Sequence, residues 1–382
     1  MDIEKIFNSL QQFVPEFASS YCVVNGAIIK LDEIQNMGCR EFGLRSKLNM
    51  PPKLYKYFPN KIDDQAGINY SLQALRNNTV FMQSPSNFDD VYDSDISIDF
   101  FQYEKLRLIE YCLRCGISID KTQSTQEIGD EFVKLLHSSL CSTGNLNSVF
   151  SKKPDSEIEK LSNENFLLSL EIELRNGNDL GKATNAVICS EFQSYSSQLK
   201  NVFRTSCFST TPYSQLMWGG AYADCHRGFC LEYTILPNNS EYQNVYQNLF
   251  PMIYCKMRPD MTERIVKAKD KKLDEDILWD IYLHGALRKS IDWLFQNEWR
   301  LLLPMNSKDI SDYNVLFFPI TKVFLGNRMP RQNREEIIEI CHSKEIPYVG
   351  VMRNPYRYEM QDCSIQCEKC PKYINQRNIT TS

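Results

Sequence analysis

The residue with most chemistry to offer is a glutamate that opens an apolar run, Glu298-Trp299-Arg300-Leu301-Leu302-Leu303. Alternation along a strand puts Arg300 on the same face as Glu298. Lys289, Ser290 and Trp293 precede it, and Lys289 reads as the end of a helix running from about 274 to 290. A carboxylate with cations beside it stays ionised and can stabilise developing positive charge, or it can serve as one half of a structural ion pair. A second concentration runs from Met217 to His226, where Trp218, Tyr222, Asp224 and His226 fall within nine residues at a helix-to-strand junction. Such a junction can form one wall of a ligand site. The alternative is that Trp218 and Tyr222, at i and i+4, pack on a sheet while Asp224 caps a turn and His226 faces solvent. The third is the acidic loop holding Asp89, Asp90 and Asp93. With Glu298 and Lys289 these would suit a magnesium-dependent nuclease, two carboxylates holding the metal and the lysine steadying the attacking water; otherwise they are a solvated turn.

Other chemistries lack their residues. Gly219-Gly220 has no dinucleotide-binding spacing, and no Gly-Lys-Ser/Thr or Gly-x-Ser-x-Gly occurs. Of the four histidines, His226 stands in the cluster above, and His137, His284 and His342 have no short spacing to another ligand, which disfavours a histidine-based zinc site. Near the C-terminus, Cys363, Cys367 and Cys370 have the spacing of a three-cysteine cluster motif, but only twelve residues follow Cys370. A zinc site there would need a fourth donor, with Cys341, His342 or the pair Cys112 and Cys115 as the candidates; the alternative is free thiols in a tail.

The elements that must position these groups are legible from periodicity. Tyr21-Cys22-Val23-Val24, Asn25-Gly26 and Ala27-Ile28-Ile29 read as a small hairpin. Lys53 to Phe58 predicts a strand, Ile68 to Asn78 a helix and Thr79 to Gln83 a second strand. Helical spacing dominates from about 100 to 200, with the polar stretch Ser142 to Asp155 as a flexible connection. Strands return at 203–209, 228–233, 252–255, 299–303, 315–318 and 322–325, and a helix is expected over 331–343. The expected fold is α+β: a central mixed sheet covered by helices and interrupted by a helical insertion. The boundaries are 1–50 for a helical lead-in, 51–100 and 201–361 for the central domain, 101–200 for the insertion and 362–382 for a cysteine-containing tail.

A chain of 382 residues is long enough for a large buried core. Its 43 basic and 48 acidic residues leave a net charge of −5, so no global positive field draws it onto nucleic acid or anionic lipid. The fourteen cysteines are scattered, several within apolar patterns such as Val187-Ile188-Cys189, which suits reduced, buried thiols. The first seventeen residues read as an amphipathic helix and not as a signal segment. A cytoplasmic protein without a membrane partner is expected.

Several short motifs resemble, in order, the bacterial domain-of-unknown-function family numbered 2971. They are Leu54-Tyr55-Lys56-Tyr57, Ser84-Pro85 with Phe88-Asp89-Asp90, Cys207-Phe208-Ser209, Met217-Trp218, Tyr222 to Gly228, Cys230 to Tyr233, and Glu298-Trp299-Arg300 ahead of Phe324-Leu325-Gly326. The likeness spans about 51 to 330 and departs from the family's Asn-Asp-Pro at Asp89-Asp90-Val91. Taken together, the strand with Tyr55, Lys56 and Tyr57, the strand ending Phe208-Ser209-Thr210 and the strand opening at Glu298 also resemble the three-part layout of ADP-ribosyltransferases. That resemblance implies NAD as substrate and Glu298 as the catalytic carboxylate acting on the nicotinamide ribose. It implies Ser209 and Tyr57, with Lys56, shaping the pocket, and Trp218, Tyr222, His226 and Arg300 as further ligand contacts. The departures are Lys56 where that family has arginine or histidine, and Thr210-Thr211 after the serine. The implied biology is an effector acting on a nucleotide or nucleic acid, of the toxin type used in phage defence. The third class is a non-catalytic module binding a nucleotide or partner.

Overall fold

The computed structural model describes residues 5, 20–37, 39–120, 122–143, 168–169, 172, 180–258, 260–269, 282–304, 313–365 and 367. The amphipathic helix expected at the N-terminus, the connection from 144 onward and Cys370 lie outside these residues.

The chain divides into two compact units, each an assembly of separate stretches: residues 1–90, 202–257 and 287–382 form the first, and 91–201 with 258–286 the second. The fold is α+β. Segment 258–286, which the sequence reading gave to the central domain, joins the helical unit.

The strands of the first unit are β1 (Tyr21–Val24), β2 (Ala27–Lys30), β3 (Lys53–Phe58), β4 (Thr79–Met82), β5 (Phe203–Ser209), β6 (Phe229–Thr234) and β7 (Leu249–Pro251). They continue as β8 (Ile253–Cys255), β9 (Arg288–Ser290), β10 (Glu298–Pro304), β11 (Tyr313–Leu316), β12 (Ile320–Leu325), β13 (Tyr348–Arg353) and β14 (Met360–Asp362). The main sheet has eight strands in the order β14-β13-β12-β6-β3-β5-β10-β7. Its pairs are antiparallel except β12 with β13. A four-stranded sheet, β2-β1-β8-β9, and a two-stranded one, β11-β4, accompany it. The β1–β2 hairpin turns at Asn25 and Gly26, whose φ values of 47° and 80° are the left-handed pair its tight turn requires.

Both faces of the main sheet are covered, and alternation along β10 shows how they differ. Trp299, Leu301 and Leu303 enter the larger core with Leu54, Phe58, Phe208, Leu231, Tyr233, Val323 and Leu325. Two helices cap that core. Helix Tyr70–Asn77 starts at Asn69, whose side chain accepts from the Leu72 amide, and stops at Asn78 in the left-handed conformation. Helix Arg331–Ser343 buries Arg334, Ile337, Ile340 and Cys341 at helical spacing. The opposite face holds a smaller cluster, Tyr57, Met217, Trp218, Ala223, Cys230, Phe324, Val351 and Met360.

In the second unit, helices Phe100–Arg114, Thr125–Thr143, Leu180–Asn201 and Thr262–Lys269 surround Tyr103, Tyr111, Phe132, Ile188 and Ile265. Cys112 and Cys115 pack in this core, and a fully buried Arg107 is held by Glu110 and by the Tyr111 hydroxyl at 2.8 Å.

Candidate functional site

On the sheet face opposite the larger core, strand register lines up one polar residue from each of five adjacent strands. Lys322 of β12 pairs with Glu232 of β6, Glu232 with Tyr55 of β3, Tyr55 with Ser209 of β5, and Ser209 with Glu298 of β10. Direct partners in a ladder point to one face, so these side chains form a row. Neighbouring strands lie about 4.8 Å apart, which puts Tyr55 and Glu298 on strands about 10 Å apart, within one ligand site.

The Glu298 end of the row is a buried charge cluster. Arg300 Nε and Nη2 reach the Glu298 Oε1 at 2.8 and 2.7 Å, and Lys289 Nζ reaches its Oε2 at 3.0 Å. The three side chains expose 4% (Glu298), 0% (Arg300) and 8% (Lys289) of their surface. The two ion pairs weighed from sequence both form, and they form on the same carboxylate. Lys289 arrives differently from the expectation: it stands on β9, not at a helix end, and a 3₁₀ turn, Ile291–Gln296, leads from there to β10. That turn delivers Gln296, whose Oε1 accepts from Lys289 at 2.9 Å while its Nε2 donates to the Tyr222 hydroxyl at 2.5 Å. Tyr222 is 39% exposed, so a polar chain runs from solvent through Gln296 and Lys289 to Glu298. Burial, more than any neighbouring charge, raises the Tyr222 phenol. The Glu298 amide donates to the Tyr254 hydroxyl at 2.8 Å, and the Arg300 guanidinium lies 5.5 Å from the Phe88 ring centre.

Cys207 is the cross-strand partner of Arg300 and only partly buried. Desolvation pushes its thiol up to about 12, with Glu298 adding in the same direction against Arg300, Lys56 and Lys289. Ser209 is 2% exposed, and its Oγ accepts from the Thr211 amide at 3.4 Å. Tyr57, two residues along from Tyr55 on the same face, donates to the Thr211 carbonyl at 2.8 Å. Segment 209–213 is thereby held from both sides. At the far end of the row, Glu232 accepts from Lys53 (2.7 Å), Tyr55 (3.2 Å) and Thr321 (2.9 Å).

Three expected contacts are placed elsewhere. Lys56 is paired with Leu231 and projects from the opposite face, where its Nζ donates to Ser206 Oγ and the Cys207 carbonyl at 3.0 Å each and lies 5.2 Å from the centre of Phe208. Desolvation lowers its ammonium. Trp218 has no exposed surface; its Nε1 donates to the Pro212 carbonyl at 2.7 Å and its ring meets Tyr57 edge-on at 5.3 Å, so it supports the wall from behind. Arg300 is fully buried beneath Glu298 and acts on the carboxylate.

His226 stacks on Trp218 with ring centres 6.4 Å apart, and burial, then the Arg328 charge, lowers its imidazole. It ends a run of three left-handed residues, Asp224, Cys225 and His226, with φ of 47°, 51° and 69°. Such a run of non-glycine residues is costly and persists only where its surroundings enforce it. Here the enforcement is visible. The amides of Cys225 and His226 donate to the Gly220 and Trp218 carbonyls, and Asp224 is gripped by Arg227 and Lys61. Gly228 and Gly326 permit the close approach that follows: an added Cβ at Gly228 would lie 1.9 Å from the Phe58 carbonyl oxygen, and one at Gly326 would lie 2.2 Å from that of His226.

The acidic loop does not assemble as a metal site. Asp89 is exposed, Asp89 and Asp90 belong to the first unit, and Asp93 is a buried residue of the second that accepts from Ser94. Among the described residues no three His, Cys, Asp or Glu side chains gather to hold a metal. Cys367 is packed in the larger core beside Arg334, with Cys363 near it. Sequence reasoning did not single out Gln296, Tyr254 or Cys207 as site members; strand pairing brings Cys207 and Tyr254 to the site, and the turn into β10 brings Gln296. No helix among the described residues is long and apolar enough to cross a membrane. Compared with family models, with curated proteins and with solved structures, the chain matches none.

Proposed function

We propose that this chain is an ADP-ribosyltransferase-like enzyme that takes NAD as substrate and transfers ADP-ribose to a nucleotide or nucleic acid, and that it is a member of the bacterial domain-of-unknown-function family numbered 2971 that its motifs resemble. The observation carrying this reading is the alignment of Tyr55, Ser209 and Glu298 side by side on three adjacent strands. Departure of nicotinamide leaves positive charge on the ribose, and a fixed carboxylate stabilises that oxocarbenium-like state and holds a ribose hydroxyl. Glu298 supplies the carboxylate. Lys289 and Arg300 fix its orientation, Ser209 and Tyr57 order the adjoining wall, and Tyr222 stands at the exposed end of the polar chain. A cytoplasmic effector role in phage defence is the biological setting that goes with this chemistry.

The test is incubation of the purified protein with NAD and total nucleic acid, following free nicotinamide by chromatography beside a magnesium-dependent cleavage assay. Nicotinamide release that S209A lowers at least tenfold supports the proposal. Chelator-sensitive cleavage without nicotinamide release replaces it with a nuclease, and silence in both assays replaces it with a binding module.

A further inference from the structure

Cys22 on β1 and Cys255 on β8 are direct partners in an antiparallel pair. We propose that they form a latent disulfide, a covalent modification site in the small sheet that is independent of the reading of Glu298. Direct antiparallel partners have Cα atoms about 4.5 or 5.5 Å apart, depending on the pair type. A disulfide accepts about 4.4–6.8 Å. The Cα separation of either pair type falls within that range. Both residues are free thiols, buried to 0% and 5% exposure. The Cys22 Sγ rests 3.6 Å from the Ile29 carbonyl oxygen, a weak contact that one rotamer change gives up. Among the described strand pairings this is the place where two cysteines face each other; Cys207 faces Arg300, and Cys230 faces Tyr57 and Phe324.

A cation is built in beside the pair. Arg288 on β9 pairs with Ile253, two residues from Cys255, and so shares its face. It is 5% exposed, and its charge opposes the burial that raises both thiols. A guanidinium so placed favours the thiolate of Cys255 as the attacking group.

The oxidant class is a low-molecular-weight disulfide such as oxidised glutathione. Cys255 loses its proton and attacks one sulfur of the oxidant; the external S–S bond breaks, and one glutathione leaves and takes a proton. Cys22 then loses its proton and attacks the Cys255 sulfur of the mixed disulfide, releasing the second glutathione. Two protein thiols are oxidised, and one external disulfide is reduced to two thiols.

The experiment equilibrates the folded, full-length protein overnight across a series of glutathione redox ratios. Each sample is quenched with acid and alkylated, and its peptides are mapped without reduction. A peptide joining Cys22 to Cys255 is expected, rising with the oxidised fraction. In C22S that link is absent and Cys255 carries one glutathione. If Cys22 and Cys255 are recovered as free thiols at ratios where the exposed Cys225 is glutathionylated, or if either is joined to another cysteine, the proposal is overturned. The wild-type map decides by itself should C22S not fold.

Discussion

Replacing Glu298 by glutamine keeps the shape of the side chain and removes the charge that two buried cations share. At 2.7 and 3.0 Å the two contacts would each be worth about 6 kcal/mol at an effective dielectric constant of 20, before desolvation is subtracted. Experience with buried pairs puts the net loss on removing one partner at about 3–5 kcal/mol, because the remaining charge stays buried. Here both Lys289 and Arg300 are left facing a neutral amide and each other. For a unit of this size each kcal/mol lowers the unfolding midpoint by roughly 2–4 °C, so E298Q falls by roughly 6 °C or more. Glutamine at 298 is therefore expected to cost stability as well as activity. The decisive variant is E298Q/K289Q, which removes one charge of each sign and restores the cluster's net charge. A double-mutant cycle followed by thermal and denaturant unfolding should give a coupling of about 1–3 kcal/mol, the double variant losing less than the sum of the singles. It should fold and release no nicotinamide, separating the chemistry of Glu298 from its structural part. A loss below about 1 kcal/mol for E298Q, or additivity within about 0.5 kcal/mol, would refute the ion-cluster reasoning.

G228A should lose at least about 3 kcal/mol or fail to fold, because the new methyl meets the Phe58 carbonyl oxygen at 1.9 Å and backbone cannot yield cheaply; circular dichroism and soluble yield read this directly. S209A should change stability by no more than about 1 kcal/mol, since it gives up one long hydrogen bond from Thr211, so its unfolding curve should overlay the wild type while nicotinamide release falls. D224N tests the strained turn. Hydrogen bonding to Arg227 foremost, then the Lys61 contact, holds the Asp224 carboxyl down at about 2 against burial, and asparagine tolerates the same left-handed backbone. A depressed folded-state value means the stability contribution is fully present above the ordinary carboxylate range, near pH 4, and is lost as pH falls through about 2. D224N should therefore cost up to about 1 kcal/mol at pH 7, the range for exposed pairs, and less than half of that at pH 2. A gap that does not shrink on acidification would assign the effect to the backbone instead.

Local pattern was sufficient for much of this molecule. Asn25-Gly26 specifies its hairpin because both residues accept a positive φ. Alternation in 298–303 separates Trp299, Leu301 and Leu303 from Glu298 and Arg300 because side chains on a strand change face at every residue. The α+β class, strands β3, β4, β5, β6, β10 and β12 and the 331–343 helix follow from the same two periodicities, whereas β7, β9, β13 and β14 are not expected from them and β11 runs over 313–316 instead of 315–318. What the sequence could not determine is anything set by pairing between distant segments. Lys56 sits between two tyrosines that share Glu298's face of the sheet, and it projects from the other face by the same alternation; the choice of face needed the register of β3 against β6. Trp218 offers large aromatic surface in sequence, but its surface is consumed by Tyr57, His226 and the sheet. Lys289 reads as a helix end, yet parallel pairing of β9 with β8 makes it a strand residue that reaches Glu298. Gln296, Tyr254 and Cys207 carry no motif. They become members of a site only because antiparallel pairing of β5 with β10 sets Cys207 against Arg300, the turn leading into β10 carries Gln296, and pairing of β8 with β9 sets Tyr254 beside Lys289. Composition and periodicity are properties of neighbours in sequence; a buried carboxylate's environment is a property of neighbours in space, and here it is strand register that converts one into the other.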